Sequence, residues 1–160
     1  SEFSNFAKMP DTKLENLALV PIIEQAMRVF SSSEHVEITM TNQVKCNLLV
    51  LGDKDQLLRT FNNLLKNAIE ATENKSRGII RIKIINNQKF AFVEVEDNGK
   101  GIDRELQDKI FVPNFTTKSS GTGLGLAFVK QAIENAGGTI HFNSEPNAGT
   151  TFYLSFPLAV

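Results

Sequence analysis

Cysteine is nearly absent. Cys46 stands alone in 160 residues, so no internal disulfide can form. It has no neighbouring histidine and reads as an inert thiol rather than a nucleophile. A chain built without disulfides is expected in a reducing compartment, here the cytoplasm. Long apolar runs are lacking too: none approaches the roughly 18 residues of a membrane span. No secretory leader is expected from the N-terminal residues, SEFSNFAKM. There is no excess of either charge, with a net of -1, so nucleic acid and anionic membranes gain no electrostatic support as partners. Internal repeats are absent. No GK[ST] follows any glycine cluster, which excludes a Walker loop.

What remains is ordinary globular material, 41% hydrophobic and 22% charged, sized for one domain. Phe3, Phe6 and Ala7 have helical spacing before Pro10, as in the tail of a longer helix. Residues 11–18 read as a polar linker or an extended segment. Ile22, Ile23, Ala26, Met27 and Phe30 predict a helix over about 20–31, with Pro21 in its first turn. Val36, Ile38 and Met40 alternate with polar residues, predicting a half-buried strand, and Leu48–Leu51 is a second strand candidate. Asp53 caps the next helix, and Gln56 completes a capping-box pattern. Leu57, Leu58, Phe61, Leu64, Leu65, Ala68, Ile69 and Thr72 follow at helical spacing. Ile79–Ile85 and Phe90–Glu96 alternate as strands around an Asn86-Asn87 turn. A long irregular stretch runs from Asp97 to Gly123, then a helix from about Leu124 to Asn135, stopped by Gly137 or Gly138. Thr139–Asn143 and Thr151–Phe156 close the chain as strands about a turn holding Pro146, Asn147 and Gly149. This order predicts a mixed sheet with helices on one face.

Four groups carry chemistry. Asn63 and Asn67 lie four apart, on one helical face bordering the apolar stripe. Their amide oxygens are hard, uncharged ligands suited to magnesium already carried by phosphates; two solvent-facing amides are the bland alternative. Asp97-Asn98-Gly99-Lys100-Gly101 ends a strand. A carboxylate there can accept from an exocyclic amine, and the glycines would let backbone approach a flat ring; an ordinary turn fits the same residues. Gly121-Thr122-Gly123-Leu124-Gly125-Leu126 opens a helix, where unpaired amides favour anions. Between them, Phe111-Val112-Pro113-Asn114-Phe115-Thr116-Thr117-Lys118 sets two aromatic anchors beside two hydroxyls and a lysine. Such a segment reads either as a lid that brings Lys118 to a terminal phosphate or as an apolar loop patch.

Together and in this order, these groups resemble the catalytic domain of sensor histidine kinases, in the superfamily that also holds the gyrase, mismatch-repair and heat-shock chaperone ATPases. NLLKNAIEA is similar to the asparagine box, DNGKG to the first glycine box, FVPNFTTK to the phenylalanine box and lid, GTGLGLAFVK to the second glycine box, and GTTFYLSFP to the closing strand. The resemblance covers about 20–157, and FSNFAKMP with the short FTTK lid looks most like nitrogen-regulation-type sensor kinases. It implies an α/β (α+β) two-layer sandwich of the Bergerat type, a mixed sheet covered on one face by helices. Residues 1–9 would be the remnant of the dimerisation and phosphoacceptor helix, and 10–160 the catalytic domain. Asp97 would bind the adenine amine of ATP, and Asn67 a magnesium ion with Asn63 as helper. Lys118 would meet the γ-phosphate. Gly121, Gly123 and Gly125 would pass the phosphates, with Gly99, Gly101, Ile102, Phe111, Phe115, Thr117, Thr122, Leu124 and Leu126 also around the nucleotide. Thr151 would reach the adenine side through water.

The implied reaction moves the γ-phosphate to a histidine on a separate domain of the same protein, for relay to a response regulator. The piece would be a monomer and the parent a homodimer, with an inner-membrane anchor on the parent left open. Two departures stand out. Glu70 occupies a position that is basic in many such kinases, which removes a phosphate contact, and no histidine box is present. His35 and His141 sit on strands and read as structural. The superfamily's hydrolases resemble this chain less, because Asn63 stands where they carry a glutamate base, and an amide takes no proton at neutral pH. An anti-sigma-factor-type serine kinase and a non-catalytic nucleotide sensor are the remaining alternatives.

Overall fold

The computed structural model describes residues 11–44, 47–113 and 125–159. The elements are β1 (Glu15–Ala18), α1 (Leu19–Val29), β2 (Val36–Asn42), β3 (Leu49–Gly52), α2 (Lys54–Ala71), β4 (Gly78–Asn86), β5 (Phe90–Asp97), a 3-10 helix (Arg104–Lys109), α3 (Gly125–Asn135), β6 (Thr139–Glu145) and β7 (Gly149–Pro157). Five strands form one mixed sheet in the order β2-β4-β5-β7-β6, with β2 parallel to β4 and the other pairs antiparallel. The helices cover one face, as expected.

Strand alternation builds that covered face. Ile80, Ile82 and Ile84 of β4, Ala91, Val93 and Val95 of β5, and Phe152, Leu154 and Phe156 of β7 are buried in parallel rows. Their neighbours point the other way, where Arg81 and Glu96 pair across the open face at 3.2 Å. Onto the rows pack Ile22, Ile23 and Ala26 of α1, Phe61, Leu64, Leu65 and Ala68 of α2, and Val129 and Ile133 of α3. Phe61 and Phe156 join the layers, ring centroids 6.2 Å apart. Burying each such ring or branched side chain contributes about 1.5–3 kcal/mol.

Three elements differ from the sequence expectation. The segment before α1 takes the extended alternative as β1, but it pairs with β3 in a separate two-stranded sheet, so β3 does not join the main sheet. Within Asp97–Gly123, residues Arg104–Lys109 wind into a 3-10 helix. The capping box is only half made. Asp53 Oδ1 accepts from the Gln56 amide at 3.1 Å, but the Gln56 side chain donates to Thr12 Oγ1 instead of returning to Asp53. Gln56 is buried and also accepts from Asn135, so a tertiary contact has outcompeted the local one. The Asn86-Asn87 turn forms as expected, with Asn87 Oδ1 accepting from the amides of Lys89 and Phe90, both at 2.8 Å. His141 stacks on Tyr153 across β6 and β7 at 5.0 Å, and the His35 carbonyl accepts from Gly78.

One polar atom on α2 is poorly served. Among the described residues, Asn62 Oδ1 is buried with no hydrogen-bond partner. An unsatisfied buried acceptor costs about 1–3 kcal/mol, and an apolar replacement of similar size removes the cost. Asn62→Leu is therefore expected to raise the midpoint of thermal unfolding by roughly 2–4 °C, for a gain of about 1 kcal/mol. A lowered midpoint would contradict this assignment.

Candidate functional site

The row Ala91, Val93, Val95 runs on to Asp97, so strand periodicity alone carries a carboxylate onto the helix-covered face. Asp97 is 7% exposed. Its Oδ1 accepts from the Gly99 amide at 2.8 Å and from the Thr150 amide at 3.3 Å. Burial raises its pKa above the ordinary 3.8; the two amides pull against that rise, and nearby Glu96 adds to it.

The chain after Asp97 is wedged between two backbones. Lys100 N donates to the Ala71 carbonyl at 2.9 Å, satisfying a free acceptor at the end of α2. Asn98 reaches back to the start of β4, its Oδ1 accepting from Ile79 N at 2.8 Å. A Cβ on Gly99 would collide with the Ala71 carbonyl, and one on Gly101 with the Glu145 carbonyl. Gly101 also has φ +71, where side chains are disfavoured. These two glycines were expected to admit a flat ring. Both also lie against the protein's own backbone, because the loop passes between the end of α2 and the β6–β7 turn. Ile102 is half-buried against the core, its amide donating to Ser144 Oγ at 2.8 Å.

Asn63 and Asn67 share the flank of α2 that faces α3. Asn63 Nδ2 lies 3.4 Å from the Gly125 carbonyl at the first residue of α3. Among the described residues, a Cβ on Gly125 would meet nothing closer than the Asn63 side chain at 3.7 Å, an ordinary contact distance. Leu126 packs against the core. Phe111 is anchored edge-on by Phe142 and Phe152, with centroids 5.9 and 6.4 Å away. Phe115, Thr117, Lys118, Gly121, Thr122, Gly123 and Leu124 lie outside the described residues, as does the rest of the expected lid.

Thr151, expected on the adenine side, is one residue out of place. It pairs with Glu96, and that row lies on the open face, away from Asp97. Thr150 pairs with Asp97 and is buried beside it, its hydroxyl 2.8 Å from Ser144 Oγ. The signal is present in the sequence: the buried series Phe156, Leu154, Phe152 steps back by twos to Thr150. Among the described residues no group of three or more His, Cys, Asp or Glu could hold a metal. A cation on α2 would meet neutral amides and must therefore arrive with its own anionic ligands. No helix among the described residues is long and apolar enough to cross a membrane.

The raised Asp97 carboxyl has a consequence for stability. The fold favours its protonated form, so its contribution is full below the ordinary value and is lost as pH rises through the raised one. Asn keeps an Oδ1 for both amides and carries no charge. Asp97→Asn is expected to unfold at a higher temperature than the parent at pH 7, the gap closing towards pH 4. A variant less stable by the same margin at both pH values would contradict the burial argument.

The chain matches the family model described as histidine kinase-, DNA gyrase B-, and HSP90-like ATPase over residues 52–160. It is 44% identical over 156 residues to the signal transduction histidine-protein kinase AtoS of Escherichia coli (strain K12), covering 96% of this chain and 25% of that protein. It is 33% identical over 162 residues to sporulation kinase D of Bacillus subtilis (strain 168), covering 99% of this chain and 32% of that protein. The chain spans about a fifth to a third of the length of the curated relatives it matches, at 19% and 32% for two sporulation kinases. In three dimensions it is similar to the catalytic domain of histidine kinase ThkA in a nucleotide-free form. That match has a TM-score of 0.80 and 30% identity, and covers 91% of this chain and 97% of the other. An overlap that nearly exhausts a histidine kinase catalytic domain fixes the branch as well as the family: the chain belongs to the histidine kinase-, DNA gyrase B- and HSP90-like ATPases, as a histidine kinase catalytic domain.

Proposed function

We propose that this domain binds Mg-ATP and transfers the γ-phosphate to a histidine on a separate phosphoacceptor domain of a longer protein, for relay to a response regulator. The observation that carries the reading is Asp97, a desolvated carboxylate whose two hydrogen bonds from the described residues both land on Oδ1. The second oxygen is the acceptor offered to the adenine amine, with Thr150 beside it. Gly125 and the glycines before it lead the phosphates towards Asn67, which anchors the magnesium ion, and Asn63 braces the first turn of α3. The metal, when bound, neutralises charge on the phosphate oxygens. Lys118 meets the γ-phosphate.

The acceptor supplies its own nucleophile. An unprotonated imidazole nitrogen gives its electron pair to the γ-phosphorus as the bond to the β–γ bridging oxygen breaks, and those electrons leave with ADP. No general base is required of the domain, which suits an amide at Asn63. Catalysis here is positioning of the phosphate against the histidine.

Radiolabelled ATP tests the reading. The domain alone is expected to remain unlabelled, and a supplied helical fragment carrying the acceptor histidine is expected to take up acid-labile label. Asn67→Ala should abolish that transfer while leaving the fold intact. Acid-stable label on the acceptor would turn the reading towards a serine kinase. Label on the domain itself, lost when His35 or His141 is replaced, would make one of those histidines the acceptor.

A further inference from the structure

The two amides that hold Asp97 Oδ1 come from different segments, Gly99 from the loop after β5 and Thr150 from the start of β7. The carboxylate keeps one orientation only if those segments keep their spacing. Gln107, on the 3-10 helix, sets that spacing. Its Nε2 donates to the Ile102 carbonyl on the loop at 3.0 Å and to the Ser144 carbonyl on β6 at 3.2 Å. Ser144 completes the tie: its hydroxyl accepts from Ile102 N at 2.8 Å and meets Thr150 Oγ1 at 2.8 Å. A second link runs alongside, from Asn147 N to the Lys100 carbonyl at 2.7 Å. The Arg104–Glu145 pair lies on the same seam at 3.2 Å, but both partners are exposed, and such pairs contribute little. Gln107 is half-buried, and two carbonyls share its amide.

We propose that Gln107, acting with Ser144, is a positioning residue for adenine selection: it clamps the loop after β5 to the β6–β7 hairpin and so orients the Asp97 carboxylate. The proposal rests on the reading of Asp97 as the adenine acceptor. It assigns Gln107 no contact with nucleotide. Its effect must pass through the exocyclic amine, and this separates it from general support of the fold.

The test compares ATP with purine riboside triphosphate, which lacks that amine, by calorimetry on wild-type chain, Gln107→Leu and Ser144→Ala, each confirmed as folded by circular dichroism. Leu fills similar space and cannot donate. The loss of two neutral hydrogen bonds predicts roughly tenfold weaker ATP binding for Gln107→Leu, and a smaller loss for Ser144→Ala. Binding of the amine-free nucleotide is expected to be unchanged in both. Equal losses for the two nucleotides, or none for either, would overturn the clamp. If Gln107→Leu does not fold, Ser144→Ala carries the same comparison, and the same outcomes support or overturn the clamp. Wild-type chain that binds the two nucleotides equally would overturn the Asp97 reading first, before any substitution is made.

Discussion

A carboxylate taken out of water at the end of a core strand is an expensive thing to keep, and the site is arranged around keeping it. Asp97 occupies the position that Val95 and Val93 would prescribe for another apolar residue. Burial works against its charge, and two backbone amides on Oδ1 offset part of that cost. The amides are available because the chain turns sharply through Gly99 and Gly101, and because β7 begins opposite with Thr150. A catalytic domain that must choose one nucleotide gains from such a group. A fixed acceptor pairs with an amine and meets a carbonyl oxygen unfavourably, and local instability accompanies that choice.

The surrounding elements each hold one side of this arrangement. The end of α2 supplies the carbonyl of Ala71 that pins Lys100. The β6–β7 hairpin presses on Gly101 and receives Gln107. On the other side of α2, Asn63 meets the first residue of α3, and Arg59 lies 4.0 Å above the ring of buried Phe128. One helix thus sets both ends of the proposed nucleotide cleft, and it is held firmly on the sheet: Leu57, Phe61, Leu64 and Leu65 are each at most 1% exposed. A helix that shifted on the sheet would move both ends of the site together.

Much of this was legible in the sequence, where a period was strong. The apolar stripe of α2 and the alternation in β4, β5 and β7 specified the elements, and the four boxes specified the family. The misses have physical causes. Glu15–Ala18 has too few residues to show a period, so the segment reads only as linker or extended chain, and its pairing with β3 leaves no local signal. The 3-10 helix over Arg104–Lys109 buries none of its own residues and is held by Gln107, a tertiary contact no local pattern announces. The backbone neighbours of Gly99 and Gly101 have no signature in the sequence, since close approach to a ligand and close approach to backbone demand the same residue. A motif carries no strand register, which is why it points to Thr151 where the pairing places Thr150 beside Asp97, and in a strand one residue changes the face. The assignments from Phe115 to Leu124 rest on the sequence alone.

The central claim is that Asp97 selects adenine by accepting from its exocyclic amine. The most direct measurement is calorimetry of Mg-ATP and Mg-GTP with the domain and with Asp97→Ala. The account predicts a clear preference for ATP in the parent, lost in the variant, with ATP binding weakened roughly ten- to 150-fold, as for a hydrogen bond to a charged group. Equal affinity for the two nucleotides in the parent, or unchanged ATP affinity in the variant, would contradict it.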